Sequence, residues 1–91
     1  MLKLELKRPA LDCLTELQAK QFRQVMLCII RLTKDPYPND SEKLVGYPYH
    51  RFDIGEYRII YDVENEETVR VILAGKRNDD EVYKRLRNLC K

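Results

Sequence analysis

A chain of 91 residues makes one domain, long enough to enclose a single hydrophobic core and too short for two. With 44% hydrophobic and 35% charged residues it reads as a compact soluble protein with a heavily charged surface. Seventeen basic and fifteen acidic side chains leave a formal charge of +2, which excludes any argument for nucleic-acid binding from bulk charge and leaves only one from local clustering. Cys13, Cys28 and Cys90 are odd in number, far apart and outside any CxxC or Cys/His spacing, so buried free thiols are expected rather than a metal or redox site. The sequence shows no secretory signal, long apolar span or lipidation motif, and a reducing cytoplasm is the expected setting, with no membrane partner.

In chain order, Leu2-Lys3-Leu4-Glu5-Leu6-Lys7 alternates strictly, which predicts a strand with its leucines facing inward. Pro9 suits the first turn of a helix, where its missing N–H would be unpaired anyway. A short helix from about Pro9 to Leu17 would align Leu11, Leu14 and Leu17. A second helix carries Phe22, Val25, Met26, Ile29, Ile30 and Thr33 at helical spacing and stops at Asp35-Pro36-Tyr37-Pro38. So few residues separate the two that a helical hairpin is expected, its apolar stripe covered by a sheet.

Ser41 to Tyr49 reads as a connector with a turn at Gly46-Tyr47-Pro48. From His50 the period of two returns: Phe52 and Ile54 alternate with Arg51 and Asp53, and beyond Gly55-Glu56 the pattern resumes through Tyr57, Arg58, Ile59, Ile60 and Tyr61. A two-residue Gly-X loop marks a type II′ hairpin, which sets Ile54 opposite Tyr57, Asp53 opposite Arg58 and Phe52 opposite Ile59. One face is then apolar, and the other carries Arg51, Asp53 and Arg58. An acidic loop at 64–67 leads to a last strand, Thr68 to Ala74, whose nearly continuous apolar run suits a central position buried on both faces. A closing helix begins after Asn78, where Asn78 and Glu81 fit a capping box, and it would cover the second face with Val82, Leu86 and Leu89. The expected fold is α+β: a β-α-α-β-β-β-α domain spanning 1–91, with an N-terminal helical hairpin on a four-stranded, mostly antiparallel sheet and a C-terminal helix. The first strand lies at an edge or beside the last strand.

Gly75-Lys76-Arg77 at the end of the last strand, and Tyr83 in the closing helix, fall near the polar face of the hairpin. Arg51, Arg58 and Arg77 would then surround one concavity with a phenol beside them. Guanidinium forks match phosphate oxygens and stay charged at any ordinary pH, so this set points to a phosphodiester.

Several segments together, Lys43-Leu44-x-Gly46, Arg51-x-Asp53-Ile54-Gly55-Glu56-Tyr57-Arg58-Ile59-Ile60-Tyr61, Gly75-Lys76-Arg77 and Glu81-Val82-Tyr83, resemble the RelE/ParE superfamily of bacterial toxins, and its RelE branch most of all. The resemblance spans the chain in element order. It implies a ribosome-dependent endoribonuclease that cuts messenger RNA without a metal or other cofactor, the 2′-hydroxyl attacking the adjacent phosphate. It also implies a cognate antitoxin that wraps and neutralises the toxin, and a toxin–antitoxin complex that binds operator DNA. By the same resemblance Arg58 contacts the scissile phosphate, Arg77 offsets transition-state charge or protonates the leaving group, and Tyr83 orients the substrate base and assists proton transfer. Arg51 stands in for a lysine that holds the messenger, and Lys43 and Lys76 complete the RNA-binding set.

Asp53 and Val45 stand where RelE-like enzymes carry basic residues. Asp53 has two readings: a cross-strand partner that aims Arg58, or the general base for the 2′-hydroxyl. His50, the only histidine, has no evident nucleophile or ligand partner and reads as structural. The alternative to a nuclease is a ParE-like toxin that blocks DNA gyrase by binding and cuts nothing.

Overall fold

The computed structural model describes residues 1–77 and 81–89. The chain runs β1 (Lys3–Leu6), α1 (Arg8–Thr15), α2 (Ala19–Lys34), β2 (Glu42–Lys43), β3 (His50–Ile54), β4 (Tyr57–Glu64), β5 (Thr68–Lys76) and α3 (Glu81–Leu89). The expected α+β class is present, with five strands rather than four, in the order β1-β5-β4-β3-β2. The extra strand is the two-residue β2, too short to leave a periodic trace in the sequence. β1 takes both places left open for it: it is an edge strand, and it pairs parallel with β5. The other pairings are antiparallel.

The hairpin forms in the register that its alternation demands. Ile54 faces Tyr57, Asp53 faces Arg58 and Phe52 faces Ile59. Gly55 supplies the turn with a φ of +57°, a conformation that costs a residue with a Cβ. Between β4 and β5 the turn is Asn65-Glu66, both at positive φ, closed by the Glu67 N–H donating to the Glu64 carbonyl at 2.9 Å.

Hydrophobic residues collect on both sides of the sheet. On one side Ile59, Tyr61, Val69, Val71 and Ala74 meet Ala10 and Leu14 of α1 and Val25, Cys28, Ile29 and Leu32 of α2. On the other, Ile60, Ile72 and Leu73 meet Val82 and Leu86 of α3 and Cys13 of α1. A bulge explains the two consecutive β5 residues there. Tyr61 pairs with Val71 and Ile60 with Leu73, so Ile72 is left over and turns to the α3 side. α1 feeds both clusters because it closes the edge of β5 beyond Val71, where pairing with β1 stops.

Several apolar expectations need correction. Leu2 and Leu6 pack on the core, but Leu4 between them is 37% exposed. Leu11, Phe22, Ile30 and Leu89 are exposed as well. In α1 the sheet-facing residues are Ala10, Cys13 and Leu14; in α2 they are Val25, Cys28, Ile29, Leu32 and Thr33. The buried stripes only partly coincide with the expected ones: α1 lies against β5, while α2 spreads across β1, β5 and β3. α2 ends at Lys34, and its C-cap Asp35 takes the extended conformation imposed by Pro36. The expected capping box at Asn78, and Cys90, lie outside the described residues. Cys13 and Cys28 are buried free thiols, as their spacing implied. No described helix is long and apolar enough to cross a membrane.

Candidate functional site

The polar face of the hairpin is built by pairing alone. Asp53 stands opposite Arg58, and Arg58 stands opposite Gly75 on the other side. The bare Gly75 lets α3 come down on the sheet: a Cβ there would lie 2.8 Å from Cγ2 of Val82. That close approach sets Tyr83, the next residue, over Arg58. Arg77 follows the end of β5, held to the hairpin turn by its own N–H donating to the Glu56 carbonyl at 2.9 Å.

The side chains then converge on one carboxylate. Arg58 grips Asp53 as a fork, Nε donating to Oδ1 at 2.7 Å and Nη2 to Oδ2 at 3.0 Å. Arg51 Nη1 donates to Oδ2 at 3.1 Å, and Arg77 Nη1 stands 3.6 Å from the same oxygen. Arg58 reaches Tyr83 with its remaining nitrogen, Nη1 donating to the phenolic oxygen at 2.6 Å. The guanidinium carbon also lies 5.4 Å from the centre of the Tyr83 ring, within cation–π range. Arg51 Nη2 donates to Glu42 at 2.6 Å. Three guanidiniums against two carboxylates leave the cluster with one positive charge.

Burial is partial, and it strengthens these pairings relative to bulk water. The hydrogen bond from Arg58 holds the Asp53 carboxyl below its ordinary value; burial opposes the shift, and the charges of Arg58, Arg51 and Arg77 reinforce it. Conversely, the hydrogen bond to Asp53 raises the pKa of Arg58. Asp53 is therefore ionised and arginine-bound at neutral pH, and a carboxylate so stabilised is a weak proton acceptor.

Arg51, Asp53, Arg58, Arg77 and Tyr83 are thus brought together. Lys43 and Lys76 are not. Lys43 pairs with His50, and the residue opposite Arg51 is Glu42. Lys76 lines a separate cavity of about 510 Å³ with Cys13, Gln21, Tyr57 and Arg85. Val45 lies at a turn and is 97% exposed. His50 sits between the rings of Tyr37 and Tyr61, at 5.3 and 5.7 Å, and burial lowers its pKa. Tyr47 and Tyr49 stack on each other and pack against the α3-side cluster. Glu42 was not found from the sequence. Its one signal would have been the register of β2, which two residues do not encode. Among the described residues no cluster of ligating side chains could hold a metal ion.

Comparison with known proteins places this fold. Residues 4–89 match the sequence profile of the ParE toxin of type II toxin–antitoxin systems, parDE. No curated protein matches the chain. Among solved structures, a double arginine mutant of the E. coli toxin RelE in the free state aligns over 99% of this chain and 98% of its own, with a TM-score of 0.78 and 24% identity. The RelBE2 toxin–antitoxin complex of Mycobacterium tuberculosis aligns over 84% of this chain and 98% of its own chain, with a TM-score of 0.74 and 19% identity. The archaeal RelE–RelB complex of Pyrococcus horikoshii aligns over 86% and 97%, with a TM-score of 0.73 and 21% identity. At these identities the structural likeness shows a shared fold, while the profile spans nearly the whole sequence. The chain belongs to the ParE toxin family of the RelE/ParE superfamily, and is a toxin of a type II toxin–antitoxin system.

Proposed function

We propose that this toxin is a ribosome-dependent endoribonuclease that cleaves messenger RNA without a metal, and that a cognate antitoxin neutralises it. The observation that carries the reading is the Arg58–Tyr83 bond of 2.6 Å inside a cluster that also holds Arg51 and Arg77. A protein that only bound a partner would have no need to join an arginine and a phenol in this way.

In the proposed reaction the 2′-hydroxyl attacks the adjacent phosphorus, the O2′–P bond forms, and the P–O5′ bond breaks. Arg58 and Arg77 take up the charge gathering on the phosphorane oxygens, a role for which fixed guanidiniums are preorganised. The Tyr83 oxygen accepts from Arg58, so its own O–H is free to protonate the departing 5′-oxygen. Both carboxylates of the cluster are committed to arginines. Asp53 accordingly acts by positioning Arg58 rather than as the base, and the 2′-proton leaves to solvent or to a group of the ribosome. The cytoplasm is the compartment in which this substrate and an antitoxin meet, and the toxin–antitoxin pair would bind operator DNA. Lys43 and Lys76, away from the cluster, would contact the messenger only at its flanks.

The test is expression of the wild type and Arg58→Ala with mapping of 5′ ends on a translated message. Codon-phased cuts that vanish in the variant are expected. A second reading, a gyrase-blocking toxin that cuts nothing, is favoured by the ParE profile and by the acidic residue at position 53. It predicts toxicity with a DNA-damage response and no cuts.

A further inference from the structure

We propose that Asp53 is an internal anion seated where the substrate phosphate binds, so that RNA enters this site by exchanging with a carboxylate instead of filling an open cationic pocket. The inference rests on the phosphodiester reading above and specifies how that site is set.

The contacts around Asp53 are those of a bound oxyanion. One arginine holds it as a two-pronged fork, at 2.7 and 3.0 Å, and two more arginines approach the same outer oxygen, Oδ2, at 3.1 and 3.6 Å. A cross-strand Asp53–Arg58 pair accounts for the fork alone, since those two residues face each other in the hairpin. It does not account for Arg77, which arrives from the end of β5 and is half exposed, or for Arg51, which is on Asp53's own strand and already has Glu42. Three guanidiniums, from β3, from β4 and from just beyond β5, converge on a point because a negative group is there. Without one, their mutual repulsion would spread them.

The arrangement has consequences for binding. The cluster is kept assembled and aimed while empty of substrate, which lowers the ordering cost when a phosphate arrives. The same carboxylate must give up Arg77 and Arg51 before phosphate oxygens can take them, which weakens binding. Arg77 is the first to yield, having the longest contact at 3.6 Å and the most exposed side chain of the three. Tyr83 is undisturbed by the exchange, because its bond uses Arg58 Nη1, a nitrogen that Asp53 does not engage. Asp53 thus trades affinity for a ready-made geometry and discriminates against ligands that bring only a weak negative charge.

The experiment is equilibrium binding of a short single-stranded oligoribonucleotide, its 2′-hydroxyls methylated to prevent cleavage, over a series of salt concentrations. Asp53→Asn is expected to bind about tenfold more tightly than wild type, from removal of one competing charge. Its salt dependence should steepen by about 0.7 in slope, as one more phosphate contact releases a counterion from single-stranded RNA. Asp53→Glu should stay near wild type, and Arg58→Ala should bind more weakly. If Arg58→Ala weakens binding while Asp53→Asn leaves it unchanged or weaker, the phosphate site stands and the internal anion is overturned. If neither variant alters binding, the phosphodiester reading itself fails, and this inference with it. Should Asp53→Asn lose its fold in a thermal melt, Asp53→Ser removes the same charge and is expected to give the same tightening.

Discussion

Arg58 donates to the Tyr83 hydroxyl at 2.6 Å, a bond that joins β4 to α3 across 25 residues of sequence. The two residues have separate routes to that point. Arg58 is placed by the hairpin register, and Tyr83 by the fit of Val82 over Gly75. If the phenol serves the leaving oxygen, Tyr83→Phe keeps the ring over the guanidinium and removes the hydroxyl, with its proton and with the acceptor of the Arg58 bond. Cleavage by Tyr83→Phe should then fall by about 10²–10⁴-fold, the usual worth of a general acid, with RNA binding nearly unchanged. Single-turnover cleavage on programmed ribosomes, alongside oligonucleotide binding, separates the two quantities.

Asp53 also makes stability depend on pH. Its carboxyl has a lowered pKa in the folded protein against an ordinary value of 3.8. The unfolded chain therefore binds the proton more readily. The contribution is fully present above the ordinary value and is lost as pH falls through the lowered one. Asp53→Asn should cost about 1–2 kcal/mol at pH 7, in the range for hydrogen bonds between charged groups, discounted for partial exposure. The gap between variant and wild type in urea melts should close progressively below about pH 4, as the wild-type carboxyl protonates.

Gly75 holds the spacing between sheet and helix. Gly75→Ala would drive a methyl to within 2.8 Å of Val82 Cγ2, a buried atom on a short side chain with little room to yield. Overpacking of this kind typically costs about 1–3 kcal/mol. It should lift α3 and part Tyr83 from Arg58, so that the melting temperature and cleavage fall together. A compensating Val82→Ala in the same chain should restore cleavage more than stability, because it makes room for the methyl while deleting buried volume of its own.

The thiol of Cys28 should be inert. Burial pushes its pKa up to about 11, with the Arg31 charge pulling weakly the other way. The thiolate is the reactive form, so alkylation at pH 7.5 should spare Cys28 in the native protein and reach it in denaturant. Peptide mass mapping distinguishes it from the other two cysteines.

The contrast between the hairpin and the helices shows what local pattern can carry. Gly55 followed by one residue allows a single register, and the alternation on each side then fixes which side chains face each other. Asp53 opposite Arg58 followed from that. In the helices the same apolar spacing supported more than one stripe, and Leu11, Phe22 and Ile30 fell outside the one that was buried. Periodicity says that a helix has an apolar face, but its angle to the sheet selects which residues occupy that face.

By itself, then, the sequence determined the order of every element except the two-residue β2, the hairpin register, the buried β5 and the arginines and tyrosine of the polar cluster. These follow from periods of two and 3.6 residues and from turn chemistry, which act over a few positions. Tertiary structure decided the rest: that β1 joins β5 at an edge, that Ile72 bulges toward α3, and that Glu42 rather than Lys43 meets Arg51. It also decided that Arg51 and Arg77 close on Asp53. The period of two puts Arg51 on the same face as Asp53, but the approach of Arg77 from beyond the end of β5 has no signal in local spacing, and it turns a residue that looked like one arm of a cross-strand pair into the centre of the cluster.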